Sequence, residues 1–192
     1  MKRTTLLGVM ALFCLALTAQ QNTRSPLLVG ERLPNITFHN IINHTANTAT
    51  LSGFQQDYTR LVLLDFWNTT CIPCIRAFKK LNILQQQYNN QLQIVLVTSE
   101  DSIAVKNTIA NWEMANGQKL NIPIITKDSL LRKYIRRRYN PHYAWVAPDG
   151  VLLAQTSATF VTPDVVAAYM KTMLADVEHR GYKKRDSKRT KN

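Results

Sequence analysis

The sequence predicts an α/β domain with a mixed central β-sheet flanked by helices, and three observations lead there. Two continuous apolar runs, Leu61 to Phe66 and Gln93 to Thr98, read as strands covered on both faces. Between them the apolar residues recur at helical spacing, so strand, helix and strand follow in the order that parallel pairing through a crossover requires. Near the end, Tyr143 to Ala147 and Val151 to Gln155 flank the turn formers Pro148, Asp149 and Gly150, which makes an antiparallel hairpin.

The 192 residues, 45% of them hydrophobic, suffice for one folded domain with short appendages. Residues 1–20 read as an export signal: Lys2 and Arg3 precede an apolar run from Leu6 to Leu17, and Ala16 and Ala19 supply small residues for cleavage. The run is short for a membrane span, and an uncleaved anchor is the other reading. Both place the domain, residues 21–179, outside the cytosol, in the periplasm or cell envelope. Residues 180–192 carry seven Lys or Arg against one Asp and read as a basic, disordered tail. Half of the net charge of +12 therefore sits in that tail and two more positive charges in the signal. The remainder is ordinary for a soluble domain, so no nucleic-acid partner is expected.

Within the domain, the polar lead-in holds short apolar patches at Leu27 to Val29 and Ile36 to Phe38, expected as edge strands. From Cys74 to Tyr88, Ile75, Phe78, Leu81, Leu84 and Tyr88 form an amphipathic stripe. A second helix is expected over 102–114 with Ser102 as its cap, and a short strand over 122–126. A third helix is expected over 129–138, burying Leu130, Leu131, Tyr134 and Ile135 and leaving Arg136, Arg137 and Arg138 at a solvated end, with a substrate-steering patch as the other reading. Thr162, Pro163 and Asp164 mark the start of a last helix whose stripe is Val166, Met170, Met173 and Val177.

Of three cysteines, Cys14 leaves with the signal, so Cys71 and Cys74 remain. A disulfide closing so short a loop does little to constrain the unfolded chain, which points to chemistry rather than stability. At a strand-to-helix junction, Cys71 meets unpaired backbone N–H groups and the positive helix end, which favour thiolate. Cys74, one turn on, is placed to attack a mixed disulfide formed at Cys71. Zinc would need two further ligands, and His39, His44, His142 and His179 offer no close pair, so no metal is expected.

The run Leu64 to Cys74 (LDFWNTTCIPC) resembles the active-site signature of thioredoxins. The exported setting and long lead-in resemble the thioredoxin-like TlpA/ResA group of bacterial disulfide reductases, in order of elements over residues 28–178. The resemblance implies a thioredoxin-like fold, no bound organic cofactor, and thiol–disulfide exchange on protein substrates, with a membrane thiol carrier as electron donor. It gives Asp65 the role of accepting the proton of Cys74, as a carboxyl whose pKa burial raises. Asn140 and Pro141, with Gly150 nine residues on, are similar to the family's cis-proline strand, whose backbone pairs with an extended substrate. Trp67, Ile72 and Pro73 complete the expected groove. Thr70, Ala77 and Lys79 depart from the pattern, where relatives carry Trp, in some an acid, and Pro; these departures bear on redox potential and partner choice. An oxidase or isomerase, and a non-catalytic binding module with a permanent disulfide, are the alternative readings.

Overall fold

The structure is a computed structural model and describes residues 26–56 and 60–179. The expected signal over 1–20, Cys14 and the basic tail over 180–192 lie outside the described residues. No helix among the described residues is long and apolar enough to cross a membrane.

The chain opens with short strands β1 (Thr37–Phe38), β2 (Ile41–Ile42) and β3 (Ala49–Thr50), followed by one helical turn and a half, α1 (Leu51–Gln55). Then come β4 (Leu61–Phe66), α2 (Ile72–Gln87), β5 (Leu92–Val97), α3 (Ser102–Asn116) and β6 (Ile124–Ile125). The hairpin β7 (His142–Val146) and β8 (Leu152–Thr156) precedes the last helix, α4 (Pro163–His179). The main sheet has the order β2-β6-β5-β4-β7-β8. β4, β5 and β6 run parallel and the other three pairings are antiparallel. The mixed sheet flanked by helices is the one the sequence predicts.

Because successive residues of a strand point to opposite faces, the apolar β4 feeds two cores. Leu61 and Leu63 pack with Phe78, Leu81 and Leu84 of α2, Val105, Ile109 and Trp112 of α3, and Val166, Met170 and Met173 of α4. Val62, Leu64 and Phe66 pack on the other side with Phe38, Leu51, Phe54, Leu131 and Ile135. Both parallel crossovers place their helix on the same face, as right-handed connections running in one direction along a sheet must. Two buried polar side chains fasten α2 to its surroundings. Gln85 donates to the Leu92 carbonyl and accepts from Ile94 N–H (2.7 Å), while Asn82 donates to the Lys119 carbonyl and accepts from Asn121 N–H.

Several local expectations change. Leu27 to Val29 forms no strand; the lead-in meets the sheet instead through a bridge between Arg32 and Val151. Asp101, not Ser102, caps α3 by accepting from Ile103 N–H, and the Ser102 hydroxyl turns to Thr126. The helix expected over 129–138 is a single 3-10 turn, Leu131–Lys133. Asp128 starts that turn by accepting from the Leu130 and Leu131 N–H groups. It stops because the Tyr134 carbonyl accepts from Leu27 N–H (2.7 Å) rather than from a fourth residue onward, and the residue before Pro141 disfavours helix. The stripe of α4 is buried at Val166, Met170 and Met173; the side chain of Val177 lies outside what is described.

Candidate active site

The loop between β4 and α2 is held at both ends. The Glu100 carboxylate, just past β5, accepts from Thr69 N–H (2.6 Å) and from the Thr69 hydroxyl (2.8 Å). Asn68 Oδ1 accepts from the backbone and hydroxyl of Thr70, and its carbonyl accepts from Cys71 N–H. Sequence reasoning missed Glu100, whose contact depends on β5 ending beside β4.

Cys71 is the N-cap of α2, and its Sγ accepts from Cys74 N–H at 3.3 Å. Pro73 occupies the first turn, where its missing N–H costs the helix nothing. The two sulfurs form a disulfide with an S–S distance of 2.00 Å. Cys71 is partly exposed, whereas Cys74 is fully buried against the first core. The helix therefore directs a backbone donor at the outer sulfur, the arrangement that lowers a thiol's pKa once the pair is reduced.

Asp65 lies on the face of β4 that carries Leu61 and Leu63, the face that α2 and Cys74 cover. It is fully buried, and neither carboxylate oxygen makes a hydrogen bond within normal geometry among the described residues. Burial raises its pKa to about 8, against smaller opposing effects from the nearby Tyr143 hydroxyl and the Lys80 ammonium. Burial also raises the pKa of Tyr143, with Asp65 adding to it, and lowers that of half-buried Lys80. A carboxyl in this state is mostly protonated at neutral pH, and its ionised fraction is a base strong enough to take the proton of a thiol.

A cavity of about 660 Å³ opens beside the disulfide, and Trp67, Cys71, Ile72, Pro73 and Asn140 all line it. The bond between Asn140 and Pro141 is cis. In the amide orientation that satisfies both of its polar atoms, Asn140 donates to the Phe66 carbonyl at 3.2 Å, tying this loop to the end of β4. Pro141 itself does not line the cavity. Trp67 does, yet it is only 1% exposed, because its ring stands edge-on to Phe78 at 5.0 Å. Ile72, 55% exposed, forms an apolar lip. Arg137 and Arg138 line the same cavity, a consequence of the missing helix end that the sequence did not reveal.

No protein-family model matches the chain. Protein SUPPRESSOR OF QUENCHING 1, chloroplastic, of Arabidopsis thaliana is 27% identical over 118 residues, which is 57% of this chain and 10% of that protein. The chain thus spans about a tenth of the length of that curated relative. Among solved structures, the thioredoxin domain of a thiol-disulfide oxidoreductase from Bacteroides vulgatus superposes with a TM-score of 0.59 at 20% identity, covering 77% of this chain and 99% of that one. A thiol:disulfide interchange protein from Bacteroides sp. gives 0.55 at 22% identity, with 81% and 97% covered. A reduced 2-Cys peroxiredoxin from Plasmodium vivax gives 0.56 at 14% identity, with 82% and 86% covered. Likeness at these identities establishes a thioredoxin-like fold, here with its Cys71 and Cys74 joined, and leaves the chemistry to the site.

Proposed function

We propose that the chain is an exported thiol:disulfide oxidoreductase that reduces disulfides of partner proteins through Cys71 and Cys74. The observation that carries this reading is the division of labour between the sulfurs: one is partly exposed at a helix N-terminus beside a groove, and the other is buried behind it. A binding module with a permanent disulfide has no need of that asymmetry, or of a buried carboxyl beneath it.

In the reduced enzyme the Cys71 thiolate attacks one sulfur of a partner disulfide, and the other partner sulfur leaves as a thiolate that takes a proton from solvent. Cys74 then loses its proton to the ionised form of Asp65 and attacks the Cys71 sulfur of the mixed disulfide, which expels the second partner thiolate; that thiolate takes a proton from solvent, and Asp65 returns its own to solvent. Two electrons pass from the Cys71/Cys74 pair to the partner, whose disulfide becomes two thiols. Trp67, Ile72 and Pro73 form one wall of the groove, and the Asn140–Pro141 loop aligns an extended substrate on the other. Export rests on the positive start and apolar run of residues 1–20. Outside the cytosol the pair needs a donor of electrons, for which a membrane thiol carrier is the chemistry that fits.

Equilibration of the purified protein with graded dithiothreitol or glutathione buffers tests the direction of flow. A potential near or below about −250 mV, thioredoxin's range, supports a reductase. A value of roughly −120 to −180 mV would reassign the protein as an oxidant or isomerase, and a pair that resists reduction would make it a binding module.

A further inference from the structure

The sequence gives three consecutive arginines, Arg136, Arg137 and Arg138, on the segment that runs into the Asn140–Pro141 loop. Since no helix carries them away to solvent, they border the groove. Arg137 and Arg138 line the cavity at Cys71, and Arg136 and Arg138 line an adjoining cavity of about 610 Å³ that also contains Tyr139 and Leu28. Among the described residues, neither cavity is lined by an Asp or Glu.

The Arg137 guanidinium lies over the Phe66 ring, 4.5 Å from its centroid, which fixes a partly desolvated cation at the groove wall. No carboxylate lies within ion-pair distance of any of the three among the described residues. Asp128 attracts Arg137 and offsets part of its charge; its Oδ1 accepts from the Leu130 and Leu131 N–H groups while its Oδ2 has no hydrogen bond among the described residues, and Glu100 is held by Thr69. The strip from Cys71 to Leu28 is thus a row of guanidinium groups without an ion-pair partner among the described residues, interleaved with the exposed apolar side chains of Ile72, Tyr139 and Leu28.

We infer that the groove selects protein substrates whose disulfide lies in an extended segment with acidic residues flanking the reacting cysteine. Guanidinium groups pair bidentately with carboxylates, and charges on the rim of a groove chiefly raise the rate of productive encounter. The inference rests on the exchange reaction proposed above and adds its selectivity.

The test uses the full chain, with dithiothreitol regenerating the dithiol, and two disulfide-bridged peptides that differ only in carrying Glu or Lys around one cysteine. The Glu peptide is expected to show a kcat/KM about tenfold higher in roughly 0.05 M salt, with the gap closing near 0.5 M. Arg138→Glu should invert the preference and Arg138→Lys should keep most of it. Arg138 is exposed and makes no packing contact comparable to that of Arg137 on Phe66, so its reversal leaves the core alone. Equal rates for the two peptides, or a preference that survives both Arg138→Glu and high salt, would overturn the inference while leaving the exchange reaction standing. Turnover of neither peptide would remove the reaction and the inference together. Glutathione disulfide outrunning the Glu peptide would overturn a protein substrate in favour of a small anionic one.

Discussion

Asp65 and Tyr143 are direct cross-strand partners in the antiparallel pairing of β4 with β7, both without exposed surface, and neither oxygen-bearing group is satisfied by a hydrogen bond among the described residues. An unpaired buried carboxyl next to an unpaired buried phenol is an expensive arrangement for a core. Its cost should be visible as a function of pH.

The folded protein holds the Asp65 proton up to about pH 8, whereas the unfolded carboxyl releases it near 4. Across that window the folded state binds more protons, so its stability falls as pH rises from 4 to 8 and then levels. Asp65→Asn cannot ionise and should escape the loss. In urea titrations of the oxidised protein the variant should be the more stable by ~2–5 kcal/mol at pH 8, the advantage shrinking toward pH 4. A constant difference across this range would mean that Asp65 is not the group titrating.

The same residue should leave a kinetic trace. Release of a partner from the Cys71 mixed disulfide should slow by about 10²-fold in Asp65→Asn, as expected for loss of a general base. Quenched-flow measurement of that single step is the check. An unchanged release rate would assign proton removal from Cys74 to solvent.

Tyr143→Phe removes the hydroxyl that pulls the Asp65 pKa down, so the carboxyl should titrate at still higher pH. Because the hydroxyl's one polar interaction, with the Asp65 carboxyl, falls outside normal hydrogen-bond geometry, the variant should be within about 1 kcal/mol of the parent in stability. Carboxyl titration by NMR, followed alongside denaturation, reads both effects.

In the reduced protein, iodoacetamide should modify Cys71 and spare Cys74 until the chain unfolds, since only the outer sulfur has exposed surface. Peptide mapping after brief alkylation separates the two sites. Equal labelling would show that reduction opens the start of α2.

Gly150 turns the β7–β8 hairpin at a φ of +89°, and a Cβ there would sit 3.3 Å from the Leu33 carbonyl oxygen. Gly150→Ala should therefore cost about 1–3 kcal/mol in thermal or urea unfolding. It should do so without moving the redox potential.

Much of this is legible in the sequence where one physical signal dominates. The bounds of β4 follow from six consecutive apolar or covered positions, and the start of α4 from Thr162 with Pro163, because each is set by a few adjacent residues. The Cys71/Cys74 pair at a helix start is readable for the same reason, whereas the expectation for Asp65 came from the resemblance of the run Leu64 to Cys74 to the thioredoxin signature. The tertiary competition is not readable. The segment after Asp128 has a helical stripe, but the Tyr134 carbonyl is taken by Leu27, more than a hundred residues earlier, and the helix ends there. Arg136 and Arg138 stay exposed, as expected, but without the helix end Arg137 and Arg138 border the cavity at Cys71. Glu100 escaped for the same kind of reason, since its bond to Thr69 spans two parallel strands.

The burial of Cys74 makes the site a passage with a single door. Whatever docks is tethered at one atom, Cys71 Sγ, and no third molecule can reach the inner sulfur to tether there instead. Departure driven by the inner sulfur is therefore governed from within, and a serine at position 74 should leave a docked partner waiting on an outside thiol for its release.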